Sequence, residues 1–205
     1  SPEVRLMFAL RLISVIAGLA SVWFTWWTAR VLWPDRGTVA ALAAMLLACL
    51  PQWSAAHGAL DNGNLVASFS HLALLLHAFA LAKERLAWSC AVALGLGSGA
   101  AVWTTANALA LFGVAGVVVA GLAWRDRARA RTTLAAGAVA IGIALAAYAP
   151  QAMRNVALYG DPLGQSAHEL AFAASRLPEG SLPAWLWEGF LPSLARSFVG
   201  MFGWW

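Results

Sequence analysis

The chain has 205 residues, and its composition is that of a membrane protein rather than a soluble domain. Hydrophobic residues make up 61% of the sequence and charged residues 11%, whereas a soluble domain carries about 25% charged residues. The mean hydropathy of +0.72 likewise excludes a disordered, fibrous or disulfide-stapled chain. The net charge of +4 comes from basic residues between apolar runs, which favours orientation in a bilayer and speaks against nucleic acid as a partner.

Long apolar runs predict the fold class, an all-α polytopic transmembrane bundle. A helix needs about 20 apolar residues to cross the bilayer core. The run at 86–124 is long enough to cross twice, and the polar group Thr104, Thr105 and Asn107 marks its turn. The sequence therefore predicts six membrane-spanning helices, near residues 10–31, 38–58, 64–82, 86–103, 107–124 and 132–149.

The composition of the sequence changes at Pro150, which predicts two parts: a helical bundle at 1–150 and an extracytoplasmic segment at 151–205. Apolar residues recur there at helical spacing among several tryptophans: Leu186, Phe190, Leu194 and Phe198. This pattern predicts an amphipathic, Trp-rich interfacial helix. Because the chain opens at Ser1 and stops in an aromatic stretch, we expect a fragment of a longer polypeptide, or only its ordered part.

The distribution of charge predicts the orientation of the bundle. The first, third and fifth loops hold eight basic residues against three acids, a balance of +5, and the opposite side carries −1. The eight are Arg30, Arg36, Lys83, Arg85, Arg125, Arg127, Arg129 and Arg131. By the positive-inside rule, the loop at 125–131 is cytoplasmic and both chain ends are extracytoplasmic. We expect that loop to lie against anionic lipid headgroups.

Two groups of glycines predict close helix packing. Gly95, Gly97 and Gly99 form one group, and Gly113 and Gly116 form the other. Small residues at such spacings let helix backbones approach closely in membranes.

The candidate catalytic residues, His57 and Asp61, lie between the second and third spans. If the second helix continues past Pro51, the two side chains share one face, four residues apart. Asp61 has two interpretations that the sequence leaves open. It caps the next helix, or it is a carboxylate that orients an acceptor hydroxyl or accepts its proton.

The third span contains two further histidines, His71 and His77. Six residues apart on a helix, they face different directions, so we expect each to be neutral and bonded to a neighbouring helix. The chain has no metal-ligand spacing, and we expect neither a metal nor another cofactor.

The candidate substrate-binding residues Arg154, Asn155 and Asp161 follow the last span. The Asp161-Pro162 step with its flanking glycines predicts a tight turn just above the membrane. Arg154 has two open interpretations: a bidentate grip on a lipid phosphate, or an anchor whose guanidinium snorkels to the headgroups.

Short motifs also occur in a fixed order along nearly the whole chain. They are Arg11-Leu12-Ile13-Ser14, a Trp33-Pro34-Asp35 turn, Leu50-Pro51-Gln52 before Asp61-Asn62, Gly95-Leu96-Gly97-Ser98-Gly99 before Thr104, Arg154-Asn155, Tyr159-Gly160-Asp161-Pro162-Leu163, and Ser197-Phe198-Val199-Gly200-Met201-Phe202-Gly203-Trp204. In this order they resemble a branch of predicted membrane proteins within the GT-C superfamily of polytopic glycosyltransferases.

The resemblance implies a glycosyltransferase that takes sugar from a polyprenyl-phosphate donor on the extracytoplasmic face of a bacterial cytoplasmic (inner) membrane. Its partner would be a membrane lipid or lipid-linked sugar. Asp61 would orient the acceptor, and Arg154 would neutralise the leaving phosphate.

Two departures from the family pattern support an alternative function. The family's usual catalytic acid lies in a first outer loop, which here would precede Ser1, and Thr104-Thr105 stands where the family tends to have Thr-Lys. The alternative is a non-catalytic structural subunit of a larger membrane complex of the respiratory or photosynthetic type, with that complex's other subunits as partners.

Overall fold

The computed structural model describes residues 2–50, 53, 57, 63–164, 166, 187, 191 and 192. Over this part of the chain the protein is a bundle of helices without strands, which confirms the expected fold class. Its helices are α1 Pro2–Leu32, α2 Gly37–Cys49, α3 Gly63–Ala82, α4 Trp88–Thr104, α5 Ala110–Arg125 and α6 Ala130–Tyr159. The interfacial helix expected between 186 and 198 falls largely outside the described residues.

The bundle has the dimensions and surface of an integral membrane protein. Four helical stretches are long and apolar enough to cross a bilayer: Glu3–Leu32, Gly63–Ala82, Asn107–Arg125 and Ala130–Tyr159. The helices α2 and α4 are apolar but shorter, with 13 and 17 residues. Large apolar side chains such as Leu19 and Val117 remain exposed on the outside of the bundle, where lipid rather than water suits them.

The helix α2 is shorter than the expected span at 38–58. It ends at Cys49, and Leu50 has extended backbone angles, φ −68° and ψ 116°. Leu50 precedes Pro51, and the proline ring disfavours helical angles in the residue before it. Trp53 and His57 are again helical, so the helix is interrupted at Leu50.

The last helix is longer than expected. The sequence predicted its end at Pro150, but α6 continues to Tyr159 with Pro150 inside it. A proline removes one helical hydrogen bond, which membrane helices tolerate where neighbouring groups compensate. The extension places Arg154 and Asn155 on a helix rather than in a loop.

The turn predicted between the fourth and fifth spans is confirmed. The helix α4 ends at Thr104, Thr105 is extended, and a short 3-10 helix at Ala106–Leu109 leads into α5. The reversal lets α4 lie between α3 and α6 at the centre of the bundle.

Two glycines of α4 allow a close contact with α6. A Cβ atom on Gly95 would lie 2.6 Å from the Ala140 carbonyl oxygen, and one on Gly99 would lie 2.8 Å from the Ala147 Cβ. The two backbones therefore meet directly, as the sequence predicted. Gly97 instead faces Leu72 of α3 at an ordinary contact distance of 3.8 Å.

The same prediction is wrong for the glycines of α5. No described heavy atom lies within 4 Å of a Cβ built on Gly113 or Gly116. Their spacing resembles that of a packing motif, but they lie on a face of α5 that no described helix contacts.

Hydroxyl groups join α1 to α3 inside the bundle. The Ser21 and Ser68 hydroxyl oxygens are 3.1 Å apart, and Ser68 also donates to the Ala17 carbonyl at 2.6 Å. Both serines are buried. Such interhelical bonds contribute about 0.6 kcal/mol each on average in membranes.

The basic loops lie together at one end of the bundle. Glu84, after α3, forms an ion pair with Arg125, at the end of α5, with a Nη2–Oε1 distance of 2.7 Å. The turn at 160–164 and the end of α4 at Thr104 lie at the opposite end, because α4 and α6 each run across the bundle.

We expect Gly95→Ala to destabilise the bundle by about 1–3 kcal/mol, since its methyl group must displace the backbone of α6. Thermal unfolding in detergent measures this loss. Gly113→Ala is the matched control, and it should be neutral or stabilising by up to about 1 kcal/mol because alanine favours helix. Equal midpoints for the two variants would contradict the packing of α4 on α6.

Candidate functional site

A polar cavity of about 430 Å³ opens at the end of the bundle that is opposite the basic loops. The ends of α4 and α6 form its two sides, and the turn after α6 forms a third wall. Its lining residues are Val102, Trp103, Thr104, Thr105, Tyr148, Gln151, Arg154, Asn155, Tyr159, Leu163 and Gly164. Two of the three predicted substrate-binding residues, Arg154 and Asn155, therefore line one cavity.

The wall at 160–164 is a tight turn, as the sequence predicted. Gly160 ends α6 with a φ of +75°, which glycine adopts without strain, and its N–H group bonds to the Val156 carbonyl at 2.9 Å. Gly164 also has a positive φ, +70°. The chain thus folds back over the last turns of α6.

Asp161 organises this turn instead of pointing a free carboxylate into the cavity. Its Oδ1 atom accepts hydrogen bonds from the Leu163 and Gly164 N–H groups, both at 2.8 Å. Its Oδ2 atom accepts from the N–H and the hydroxyl of Ser166, also at 2.8 Å.

These bonds, with those from Ser166 the strongest, lower the pKa of Asp161 from its ordinary value of 3.8. Its stabilising contribution is therefore present above that pH and is lost as the pH falls through the lowered pKa.

Asn155 and Tyr148 fix the turn to α6. The Asn155 Nδ2 atom donates to the Pro162 carbonyl at 3.1 Å, and the Tyr148 hydroxyl donates to the same oxygen at 2.7 Å. Gln151 donates to the Asn155 Oδ1 atom at 3.4 Å. Asn155 and Tyr148 are both buried, so their visible role is to hold the wall in place.

Arg154 is the cation among the described residues that line this cavity. Its side chain is exposed on the last part of α6, and no described carboxylate lies within ion-pair distance of it. A guanidinium presents a planar set of donors that matches a phosphate bidentately. The arrangement can therefore receive an anionic group beside the hydroxyl-bearing end of α4.

The sequence did not single out Tyr148 and Gln151. Together with Asn155 they stand at positions i, i+3 and i+7, which is one face of a helix. This signal was readable, but only if the last helix was allowed to continue through Pro150.

His57, one of the two predicted catalytic residues, is buried against α1. Its ring centroid lies 4.1 Å from that of Trp53, and its Nδ1 atom is 2.9 Å from the Trp53 carbonyl. A Cβ atom on Gly18 would lie 2.7 Å from the His57 Cδ2 atom. Asp61, its predicted partner, lies outside the described residues.

His71 and His77 bond within their own helix rather than to a neighbouring one, contrary to the prediction. Each places Nδ1 at 2.7 Å from the carbonyl four residues earlier, Ala67 for His71 and Ala73 for His77. His71 also packs edge-on against Trp53, with ring centroids 5.5 Å apart. The two side chains do not form a shared site.

The apolar helices and the polar cavity at one end of the bundle define an integral membrane protein. Residues 4–153 match the family model described as dolichyl-phosphate-mannose-protein mannosyltransferase, of the GT-C type. The chain therefore belongs to this family, and the resemblance found in the sequence is confirmed. No curated protein and no solved structure matches the chain. Arg154 follows directly after the matched region, so its role rests on the geometry of the cavity.

We expect Gly18→Ala to destabilise the protein by about 1–3 kcal/mol, because the added methyl group overlaps the His57 ring. In a His57→Ala background the ring is gone, and most of that loss should disappear. A double-mutant cycle of unfolding free energies measures the coupling. Additive effects would show that His57 does not pack on α1 as described.

Proposed function

We propose that the protein is a GT-C-type membrane glycosyltransferase, or a large part of one, that takes sugar from a polyprenyl-phosphate donor. The observation that supports this most is the family match over residues 4–153, joined to a cavity at one end of the bundle that is lined by Arg154, which has no ion pair among the described residues. Family membership implies a lipid-linked sugar donor, whose phosphate would lie at headgroup depth.

The phosphate of the donor binds at Arg154 in this proposal. The guanidinium neutralises the negative charge that grows on the phosphate as the bond to the sugar breaks. The end of α4 faces it across the cavity, where Thr105 lines the wall and the Thr104 hydroxyl donates to the Ala101 carbonyl at 2.6 Å. Asn155 and Asp161 act indirectly, since their hydrogen bonds hold the turn that closes the cavity.

The reaction is an inverting displacement at the anomeric carbon. An acceptor hydroxyl oxygen forms the new bond to that carbon, and the bond from the carbon to the phosphate oxygen breaks with its electron pair leaving on the lipid phosphate. Asp61 orients the hydroxyl and accepts its proton. His57 is a positioning residue, which packs the segment between α2 and α3 against α1.

The charge distribution supports an extracytoplasmic site in a bacterial cytoplasmic membrane. The loops with the +5 balance lie at the end joined by the Glu84–Arg125 ion pair. The positive-inside rule assigns that end to the cytoplasm. The cavity lies at the other end, where a lipid-linked donor and its acceptor would meet outside the cell.

Arg154→Gln should reduce sugar transfer by roughly 10²-fold or more, because a preorganised charge at the leaving phosphate is lost. Arg154→Lys keeps the charge but not the planar fork, and it should retain part of the activity. Transfer of labelled sugar in membranes that contain the full-length protein measures both.

Arg5→Gln is the matched control, since it removes an exposed positive charge near the start of α1. It should leave transfer unchanged. If Arg154→Gln behaved like this control, Arg154 would be a headgroup anchor and not a donor-binding residue.

The substitution Asp61→Asn distinguishes a helix-capping role of Asp61 from a catalytic role. Asparagine caps a helix about as well as aspartate, so a purely structural Asp61 predicts little change. A proton-accepting or orienting Asp61 predicts a loss of roughly 10²-fold or more in turnover. Asp61→Ala should add an unfolding loss of about 1 kcal/mol. Full transfer by the asparagine variant would remove Asp61 from the mechanism.

The structural-subunit alternative remains a separate prediction. A non-catalytic subunit should co-purify with a large complex in mild detergent. Sugar transfer in the membranes should then be the same with Arg154→Gln or Asp61→Asn as with the unchanged protein. Migration as a free protein, together with the expected losses, would reject it.

A further inference from the structure

A second groove lies at the other end of the bundle, between the end of α3 and the beginning of α4. Its volume is about 490 Å³. Leu76, Phe79 and Ala93 form apolar walls, and Lys83 and Arg85 lie at its polar end with Ser89. The groove therefore combines an apolar trough with a positively charged mouth.

In the part of the chain that the structure describes, Lys83 and Arg85 in the turn after α3 have no acidic partner. The Arg85 N–H group bonds to the Ala80 carbonyl at 3.0 Å and the Glu84 N–H group bonds to Leu81 at 3.1 Å, which ends the helix with Glu84 at a φ of +50°. The Glu84 carboxylate is engaged by Arg125 at 2.7 Å. Among the described residues, no carboxylate lies within ion-pair distance of Lys83 or Arg85.

Charged residues next to the groove, unlike Lys83 and Arg85, form ion pairs. Around Arg125, Asp126 and Arg129 the acids and bases are matched, with Arg125 on Glu84 and Arg129 on Asp126 at 3.5 Å. Lys83 and Arg85 therefore keep uncompensated positive charge at the groove, beside a cluster whose charges are paired.

Further donors at the groove come from α4. Its N-cap residue, Ala87, has no side chain that could accept from the first-turn N–H groups, which carry partial positive charge. The Ser89 hydroxyl in that turn has no hydrogen-bond partner within the described part of the chain. Both features add to the attraction that the two cations exert on an anion.

The position of the groove, at the membrane surface, favours a lipid over a soluble anion as its ligand. Lys83 directly follows α3, which is long and apolar enough to span the bilayer, so its ammonium group lies at headgroup level. The apolar walls run from there towards the membrane interior along α3 and α4. The Cys90 thiol donates to the Leu76 carbonyl at 3.5 Å and holds the two helices together beside the groove.

We propose that this groove is a binding site for one anionic phospholipid. The headgroup phosphate lies between Lys83 and Arg85, within reach of the Ser89 hydroxyl, and an acyl chain lies along Leu76, Phe79 and Ala93. Basic pockets between membrane helices on the cytoplasmic side bind anionic headgroups in this way. The site is separate from the donor cavity, which lies at the opposite end of α4.

The test is lipid binding by the full-length protein in detergent, measured by native mass spectrometry with phosphatidylglycerol and with phosphatidylcholine of equal chain length. We expect one phosphatidylglycerol to bind more tightly than phosphatidylcholine. Each basic residue at a membrane surface contributes about fivefold to anionic lipid binding. Lys83→Gln with Arg85→Gln should therefore weaken phosphatidylglycerol binding by about 30-fold.

The matched control is Arg127→Gln with Arg131→Gln, which removes two charges from the same end outside the groove. This control should leave the single tight lipid in place, and equal losses in the two double variants would overturn the site. Ala93→Leu narrows the apolar part of the groove and leaves Lys83 and Arg85 unchanged. It should therefore also weaken binding of the lipid.

A second comparison identifies the kind of ligand. Glycerol phosphate carries the same headgroup chemistry without acyl chains, and millimolar concentrations should not displace the lipid. Displacement by glycerol phosphate, or unchanged affinity in Ala93→Leu, would show that the groove binds free anions and not a phospholipid. Thermal unfolding of each variant shows whether the bundle is intact, and all the exchanged charges are on exposed side chains.

Discussion

The direct backbone contact between α4 and α6 is the constraint on which the rest of the described bundle depends. In a bilayer the lipid tails are as apolar as the side chains, so burial of apolar surface does not by itself bring helices together. Gly95 and Gly99 allow α4 to approach Ala140 and Ala144 of α6 at distances that no side chain would permit. Because α4 also packs on α3, this contact places four of the helices: α3, α4, α6 and, through the serine bonds, α1.

The polar cavity lies beyond that contact, at the ends of α4 and α6. The turn at 160–164 forms a further wall. The turn is held from two directions, by the Asp161 carboxylate within it and by Asn155 and Tyr148 from α6. The fixed wall preserves the cavity beside Arg154, whose side chain is exposed on α6.

The two ends of the bundle differ in how their charges are compensated. At the loop end, ion pairs on Glu84 and Asp126 match part of the positive charge, and two of the cations that they leave unmatched, Lys83 and Arg85, lie at the groove between α3 and α4. At the opposite end, the described acid closest in sequence to Arg154 is Asp161, and its carboxylate is occupied by backbone and hydroxyl donors. Each end thus keeps uncompensated cations where a phosphate group of a lipid would be found.

The sequence by itself determined the fold class, the approximate helices and the turns at Thr104 and Asp161, because these depend on local composition: apolar length, proline, glycine and polar breaks. It also grouped Arg154 and Asn155, which line one cavity, and their role in substrate binding stays a prediction. The end of α2 before Pro51 has a local cause that the sequence contains, since the proline disfavours helical angles at Leu50. The sequence could not determine that α6 runs through Pro150 or that Gly113 and Gly116 face away from the other described helices. Those outcomes depend on which neighbouring surface a helix meets. A local pattern does not contain that information, and only the packing of α4 against α3 and α6 decided it.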